Sequence, residues 1–564
     1  MLFDRWVLHE GEVTGPGLDS KLLRSAAHRR GVTDPESSRA YFEPAIEDLH
    51  DASLIHGMDT ACERIERAIS AHEPILIYGD YDVDGVTSIV LLRAVIRKLG
   101  GDAGYVVPHR LIHGYGLKTE VIEAVLREKA IRLVITVDCG ISSVEPVQRA
   151  LERGIDVIVT DHHLPPGILP DAVALLNPKV DGCTYPYPDL AGAGVAFKLG
   201  CELLRRAGDS LPIESLLKIA AMGTIADVAP LTGENRAIAK LGLDGLGSTT
   251  NRGLRALLAE CGIPPGSVPK ASDIGFRVGP RINAAGRLAS ADTAIELFSA
   301  RNDDEARAMA KELSRMNGER QEKEKVLLAE ADAMIAAMGS LPPAIVLASE
   351  GWHRGIVGLC AGRIAQKHNR PTLVISVENG MAVGSGRSIA SIDLHAAMEN
   401  HAELFEHFGG HSHACGFSMK AELVPELTRR LAADLGGRAP ETFAREALVD
   451  GELSLAELDA ALIKTIDRFE PFGAANPRIT ALLRDVEVLS VRGFATDCHE
   501  LVLRQGSTTS RAVLWRTALA LRPSLEPGAR VDLVCHPEFD VYWKVPRLEI
   551  VDAAPAGSAP ILSA

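Results

Sequence analysis

Asp161-His162-His163 sets one carboxylate and two imidazoles in a row, directly after the apolar run Ile155-Asp156-Val157-Ile158-Val159-Thr160. These residue types are ligands for divalent metals. Two more apolar runs end in the same way. Pro74-Ile75-Leu76-Ile77-Tyr78 leads into Gly79-Asp80-Tyr81-Asp82-Val83-Asp84-Gly85, and Arg132-Leu133-Val134-Ile135-Thr136-Val137 leads into Asp138-Cys139-Gly140. One aspartate at one strand end is ordinarily a helix cap or a turn residue. Three sites in phase imply a shared centre made from Asp80, Asp82, Asp84, Asp138, His162 and His163. Oxygen and imidazole donors without thiolate suit Mn2+ or Mg2+ better than structural Zn2+. Two such ions about 3.5–4 Å apart clamp the attacking and leaving oxygens of a phosphodiester, and one carboxylate has to bridge them. Cys139 is expected to pack rather than to bind metal.

The elements that hold these residues follow from the pattern. Each run is short, β-branched and apolar on both faces, as a strand inside a parallel sheet must be. Helical patterns at Gly85 to Leu99, Lys118 to Lys129 and Ser142 to Arg153 alternate with the runs. Strands alternating with helices imply right-handed crossovers and a doubly wound sheet. Ligands of such sheets bind outside the carboxyl ends of the strands, where all three sites lie. With His162 on a metal, His163 is placed to face a scissile phosphate, stabilising charge or protonating the leaving oxygen. The plainer role for His163 is to orient its neighbours. Asp161, grouped with Asp138 and His163 as a catalytic residue, is expected to orient rather than to ligate.

Gly79-Asp80-Tyr81-Asp82-Val83-Asp84-Gly85-Val86-Thr87, Pro108-His109-Arg110 with Gly114-Tyr115-Gly116-Leu117, Thr136-Val137-Asp138-Cys139-Gly140-Ile141-Ser142 and Asp161-His162-His163 stand in order along the chain. Gly223-Thr224-Ile225-Ala226-Asp227-Val228-Ala229-Pro230-Leu231 and Gly279-Pro280-Arg281-Ile282-Asn283-Ala284-Ala285-Gly286-Arg287 follow. Then come Trp352-His353-Arg354-Gly355, Gly384-Ser385-Gly386-Arg387-Ser388, Gly409-Gly410-His411-Ser412-His413 and Pro471-Phe472-Gly473. This series resembles the DHH phosphoesterase superfamily and, within it, the RecJ-type single-stranded-DNA-specific exonucleases, over nearly all of the chain after residue 45.

The resemblance implies a division of labour. Asp138 bridges two ions, Asp82 sits on one, and Asp84, His162 and Asp227 sit on the other. Many superfamily members carry a histidine where this chain has Tyr78, and Asp80 is expected to replace it as a ligand. Arg110, Arg281, Asn283 and Arg287 are expected to face the substrate, as are His353, Ser385, Arg387 and His411. Arginine forks match phosphate oxygens bidentately. Tyr115 and Phe472 are candidates for base stacking. The implied fold is α/β. A parallel-sheet DHH catalytic domain (46–290) follows an N-terminal segment (1–45). A helical connector (291–340) joins it to a DHH-associated α/β domain (341–440), and an OB-type β-barrel (445–552) precedes a disordered tail (553–564). The implied activity is degradation of single-stranded DNA from the 5′ end, with a helicase and a single-strand-binding protein as partners. The alternatives are a small-molecule DHH phosphodiesterase or nanoRNase, and a catalytically silent scaffold. A barrel that tracks a strand argues against the first; retained carboxylates argue against the second.

Bulk properties agree with this reading. The chain has 564 residues, too many for one core. It is 46% hydrophobic and 24% charged, ordinary for a globular protein. No apolar stretch approaches a membrane span, no signal pattern opens the chain, and the nine cysteines form no CxxC pair. A monomer in a reducing cytoplasm is expected. The net charge of −15 disfavours a protein that coats DNA. It does not disfavour an enzyme that grips one strand with local Arg and Lys, because counterion release is local.

Overall fold

The computed structural model describes residues 1–15, 17–109, 116–128, 131–209 and 213–563, the side chains of 126–128 excepted. Arg110 and Tyr115 therefore lie outside the described residues. The chain forms two compact units, 45–437 with 473–475, and 1–44 with 438–472 and 476–564. The first strand, β1 (Arg5–Leu8), belongs to the second of these.

In the larger unit, β2 (Ile75–Gly79), β3 (Ala103–Val106), β4 (Leu133–Val137), β5 (Asp156–Thr160) and β6 (Ala174–Leu176) form a sheet of order β3-β2-β4-β5-β6. All its pairings are parallel. Side chains of β2, β4 and β5 alternate between two cores. Ile75, Ile77, Leu133, Ile135 and Ile158 enter one, and Leu76, Tyr78, Val134, Val157 and Val159 enter the other. This double burial explains the unbroken apolar runs. The chain goes from β2 to one side and returns to its other side at β4. The direction of winding thus reverses between β2 and β4, and that crevice is where open α/β sheets bind ligands.

The connector is a helix of 35 residues, Asp303–Ala337, opened by Asn302, whose side chain accepts from Glu305 N. Its Ala310 and Leu313 enter the core of the parallel sheet, and its Leu327 and Ala331 enter that of the following domain. One rigid element therefore belongs to both cores. The following sheet holds β7 (Ile345–Glu350), β8 (Thr372–Glu378), β9 (Met381–Arg387), β10 (His407–His411) and β11 (Ala414–Lys420), in the order β10-β11-β9-β8-β7. Only β7 and β8 pair in parallel.

In the second unit, β12 (Glu446–Val449) and β13 (Gly451–Glu452) precede the barrel. The barrel strands are β14 (Ala481–Ala495), β15 (Cys498–Gln505), β16 (Thr508–Leu514), β17 (Arg530–Asp540) and β18 (Val545–Pro555). They close through a β14–β17 pairing. The tail corrects the expectation of disorder. β18 runs on to Pro555, with Ala553 and Ala554 buried, and β19 (Ile561–Ser563) pairs in parallel with β1. Small residues that read as a linker are here the ones that fit beside a barrel wall. Asp552 locks this arrangement. Its carboxylate accepts from Leu2 N (2.6 Å), Phe3 N (3.2 Å) and the indole Nε1 of the fully buried Trp6 (2.8 Å). Hydrogen bonds to a charged group contribute about 1.5–3 kcal/mol each. Asp552→Ala is expected to destabilise this unit by at least ~3 kcal/mol, read as a lower urea midpoint. An unchanged midpoint would show that the N-terminal strand adds nothing to its stability.

Candidate metal centre

The register of the parallel sheet brings the expected ligands level. Gly79, Val137, Thr160 and Leu176 are partners across β2, β4, β5 and β6. The next residues are Asp80, Asp138, Asp161 and Asn177. Asp138 takes a left-handed conformation (φ 57°), which aspartate tolerates. Asp82 caps the helix Val83–Lys98, accepting from Asp84 N (2.9 Å) and Gly85 N (3.1 Å). It is thus both the helix cap of the plain reading and a member of a ligand group with Asp80 and Asp138. Asp84 is buried and receives Gly192 N and Ala193 N at 2.7 Å each, at the start of the helix Gly192–Arg206. Asp227 follows the helix Ile213–Ala226 and forms a second group with Asp84 and His162.

His162 Nε2 is buried and makes no hydrogen bond. It faces Asp138 Oδ1 at 3.1 Å, Asp84 Oδ2 at 3.7 Å and Asp227 Oδ2 at 3.9 Å. Burial, with the neighbouring His163, lowers its pKa to about 3, so the ring is neutral, as a metal ligand must be. The carboxylates show the opposite strain. Burial, then Asp82, raises Asp84 to about 7 despite its two N–H donors. Burial, then Asp84 and Asp82, raises Asp138 and Asp227 well above the usual range. Buried carboxylates gathered around an imidazole nitrogen that bonds to none of them are the donor set of divalent cations.

Asp161 does not join that set. Its Oδ1 accepts from His162 N (2.7 Å), His163 N (3.1 Å) and His163 Nδ1 (2.7 Å), and its Oδ2 accepts from Ile141 N (2.9 Å). It holds the His163 ring through Nδ1 and the backbone N–H groups of His162 and His163. Burial disfavours the imidazolium of His163, but the hydrogen bond and charge of Asp161 outweigh it and raise the pKa. Tyr78 points into the opposite core, where its hydroxyl donates to Gly116 O (3.1 Å) and accepts from Lys118 N (3.3 Å).

Three families match successive parts of the chain. Residues 74–224 match the DHH family, N-terminal domain; 341–436 match the DHHA1 domain; 449–551 match the RecJ OB domain. The single-stranded-DNA-specific exonuclease RecJ of Bacillus subtilis is 37% identical over 543 residues, 94% of this chain and 68% of that protein. The chain belongs to the RecJ family. RecJ of Thermus thermophilus, solved in complex with Mn2+, matches at TM-score 0.83 and 28% identity, over 99% of this chain and 80% of that one. Its Mg2+ complex matches at TM-score 0.76 and 26% identity, with the same coverage.

The residues expected to meet substrate in a RecJ-family site divide into two sets. Ser385 and Arg387 lie two apart on β9 and so share a face. Arg387 Nη1 donates to Ser385 Oγ (2.9 Å). A Cβ on Gly358, in the first turn of the helix Val357–His368, would lie 3.0 Å from Ser385 Oγ and 3.4 Å from Arg387 Nη2. His411, at the end of β10, has its pKa lowered by burial, then by His413, Arg387 and His163. His353 accepts from Gly355 N (3.1 Å), and Arg287 Nη1 donates to Gly355 O (3.3 Å), which ties the two domains together.

The second set makes contacts within the protein. Asn283 Oδ1 accepts from Val83 N (3.0 Å), so it holds the start of the helix that carries Asp84. Arg281 donates to Ser314 Oγ (3.0 Å), Arg277 O (2.7 Å) and Glu260 O (3.4 Å), a packing role at the connector helix. Phe472 is partly buried and packs against the barrel core.

Sequence reasoning missed residues that shape the centre. Gly192 and Gly223 make room for it. A Cβ on Gly192 would lie 2.9 Å from Asp138 Cβ and from Asp84 Oδ2; one on Gly223 would lie 2.5 Å from Thr87 Oγ1 and 2.7 Å from Asp84 Oδ1. Lys179 Nζ donates to His162 O (2.8 Å), and Asn177 Nδ2 donates to His163 O (2.9 Å). Their signal was Ala174–Leu176, a fourth strand end in phase with the other three.

Proposed function

We propose that this RecJ-family protein is a metal-dependent exonuclease that degrades single-stranded DNA in the 5′ to 3′ direction, releasing mononucleotides, in DNA repair and recombination. The observation that carries this reading is the buried set of carboxylates around His162, at neighbouring strand ends of a chain that matches RecJ over nearly its whole length. Asp80, Asp82 and Asp138 would hold one divalent cation, Mn2+ or Mg2+. Asp84, His162 and Asp227 would hold the other, with Asp138 shared. When bound, the pair supplies Lewis acidity to the phosphodiester and a nucleophile from water at neutral pH. Asp161 fixes His163 through Nδ1, so Nε2 is the nitrogen that would carry a proton to the leaving oxygen. The exposed Phe494, packed edge-on to the half-buried Trp515 (centroids 5.8 Å apart), and the exposed pair Tyr542 and Trp543 (4.9 Å) are aromatic surfaces on the barrel that suit base stacking. A helicase and a single-strand-binding protein fit such an activity as partners, and the cytoplasm fits as its place. Among the described residues no helix is long and apolar enough to cross a membrane.

Digestion of strands labelled at the 5′ or the 3′ end tests the reading. With Mn2+, a 5′ label is expected to appear first as mononucleotide, and chelator is expected to stop the reaction. Early release of a 3′ label, or unchanged activity in chelator, would refute the proposal.

An exonuclease must recognise a terminus. Ser385, Arg387 and the start of the helix Val357–His368 are suited to a terminal 5′ phosphate. Losing a charge-assisted hydrogen bond costs about 1.5–3 kcal/mol, roughly tenfold to a hundredfold. Arg387→Ala is expected to impose that loss on 5′-phosphorylated strands and little on 5′-hydroxyl strands. Equal losses on both would remove Arg387 from end recognition.

A further inference from the structure

Phe276 is 83% exposed, the most exposed large hydrophobic side chain among the described residues. It lies on the π-helical turn Ile274–Val278, directly before the helix Gly279–Leu288. Such turns recur at functional sites because they displace side chains from the regular helical path. Ile274 and Val278 of this turn are buried, so the turn is anchored while Phe276 projects.

The position of Phe276 on this helix gives it a role. Residues 280, 283 and 287 follow helical spacing and share one face of the helix Gly279–Leu288, and Phe276 projects from the turn at its start. On that face Asn283 bonds to Val83 N beside the carboxylate cluster, and Arg287 bonds to Gly355 O of the domain that carries Ser385 and Arg387. The end of the turn also abuts the cluster, because a Cβ on Gly279 would lie 3.5 Å from Ala226 Cβ and 3.6 Å from Val83 Cγ2. Val228, 68% exposed with φ 62°, follows Asp227 directly and adds a second apolar surface there. The helix thus runs from Arg287, bonded to the domain that carries Ser385 and Arg387, past Asn283, beside the carboxylates, to the turn that carries Phe276. At 1.5 Å per residue, Phe276 lies about 10 Å beyond Asn283, the length of about three stacked nucleotides at 3.4 Å each.

We propose that Phe276 stacks on a base of the single strand on the 3′ side of the scissile phosphate, and so holds the incoming strand in register with the metal centre. The role rests on the 5′ to 3′ reading above. An exposed phenyl ring beside a strand path is sequence-tolerant, because every base has a π-face. It also selects against duplex, whose bases are already stacked and paired.

The test uses full-length Phe276→Ala and Phe276→Trp with 5′-phosphorylated strands that carry one abasic nucleotide, walked from the second to the sixth position. Stacking on a single base is expected to give the wild type a loss in kcat/KM of roughly 5- to 150-fold at one abasic position. Phe276→Ala is expected to show the same loss on intact strands and no further loss at that position. Phe276→Trp is expected to keep both activity and abasic sensitivity. An alanine variant at wild-type rate, or one still as abasic-sensitive as the wild type, would overturn the proposal. A wild type that leaves every single strand intact would instead defeat the underlying 5′ to 3′ reading. Matching thermal midpoints separate stacking from misfolding.

Discussion

Asp138→Ala is expected to abolish hydrolysis while leaving the chain folded. In the proposed centre Asp138 is the shared carboxylate: it groups with Asp80 and Asp82 on one side and with His162 and His163 on the other, its Oδ1 3.1 Å from His162 Nε2. Removing a residue that only orients a ligand typically costs 10–100-fold in affinity or activity; removing the shared ligand should cost more. Stability should move the other way in chelator. Burial and the charges of Asp84, Asp82, Asp227 and Asp80 all oppose ionisation of Asp138. Alanine relieves that repulsion, so the metal-free variant should melt no lower than the metal-free wild type. The gain in melting temperature on adding Mn2+ should shrink, because ligand-linked stabilisation follows RT ln(1 + [L]/Kd). Near-wild-type turnover, or an undiminished Mn2+ effect, would remove Asp138 from the centre.

Gly192→Val is expected to come close to the same loss without touching a ligand. A Cβ there would lie 2.9 Å from Asp138 Cβ and Asp84 Oδ2, and 3.0 Å from Asp138 Oδ1. The glycine also gives its N–H to Asp84. Two methyl groups must therefore displace the two carboxylates of Asp84 and Asp138 or tilt the helix Gly192–Arg206. A loss of at least 10–100-fold in Mn2+ affinity is expected, measured by calorimetry. Gly192→Ala should lie between the variant and the wild type. Unchanged Mn2+ affinity in the valine variant would mean that this helix is not part of the centre.

The parallel sheet was legible because burial on both faces writes itself as unbroken apolar runs, and because ligands at strand ends stay adjacent in sequence to those runs. Asp80, Asp138 and His162 could be placed by that logic alone. Asp227 could not, since it follows a helix far along the chain; only the resemblance supplied it. The protein contacts of Asn283 and Arg281 were not legible, because a motif records that a residue is required and not what it touches. Gly192 was invisible because its contribution is space. The ordered tail was missed for a different reason. Ala553 and Ala554 are buried, and β19 exists because β1, more than 500 residues earlier, offers it an edge.

The proposed metal centre is tested most directly by where divalent cations bind. Crystals of the full chain grown with Mn2+ and measured at the manganese edge should show two anomalous peaks. One should lie among Asp80, Asp82 and Asp138. The other should lie among Asp84, His162, Asp227 and Asp138, with Asp161 bound to neither. A single peak, or peaks away from the ends of β2, β4 and β5, would contradict it.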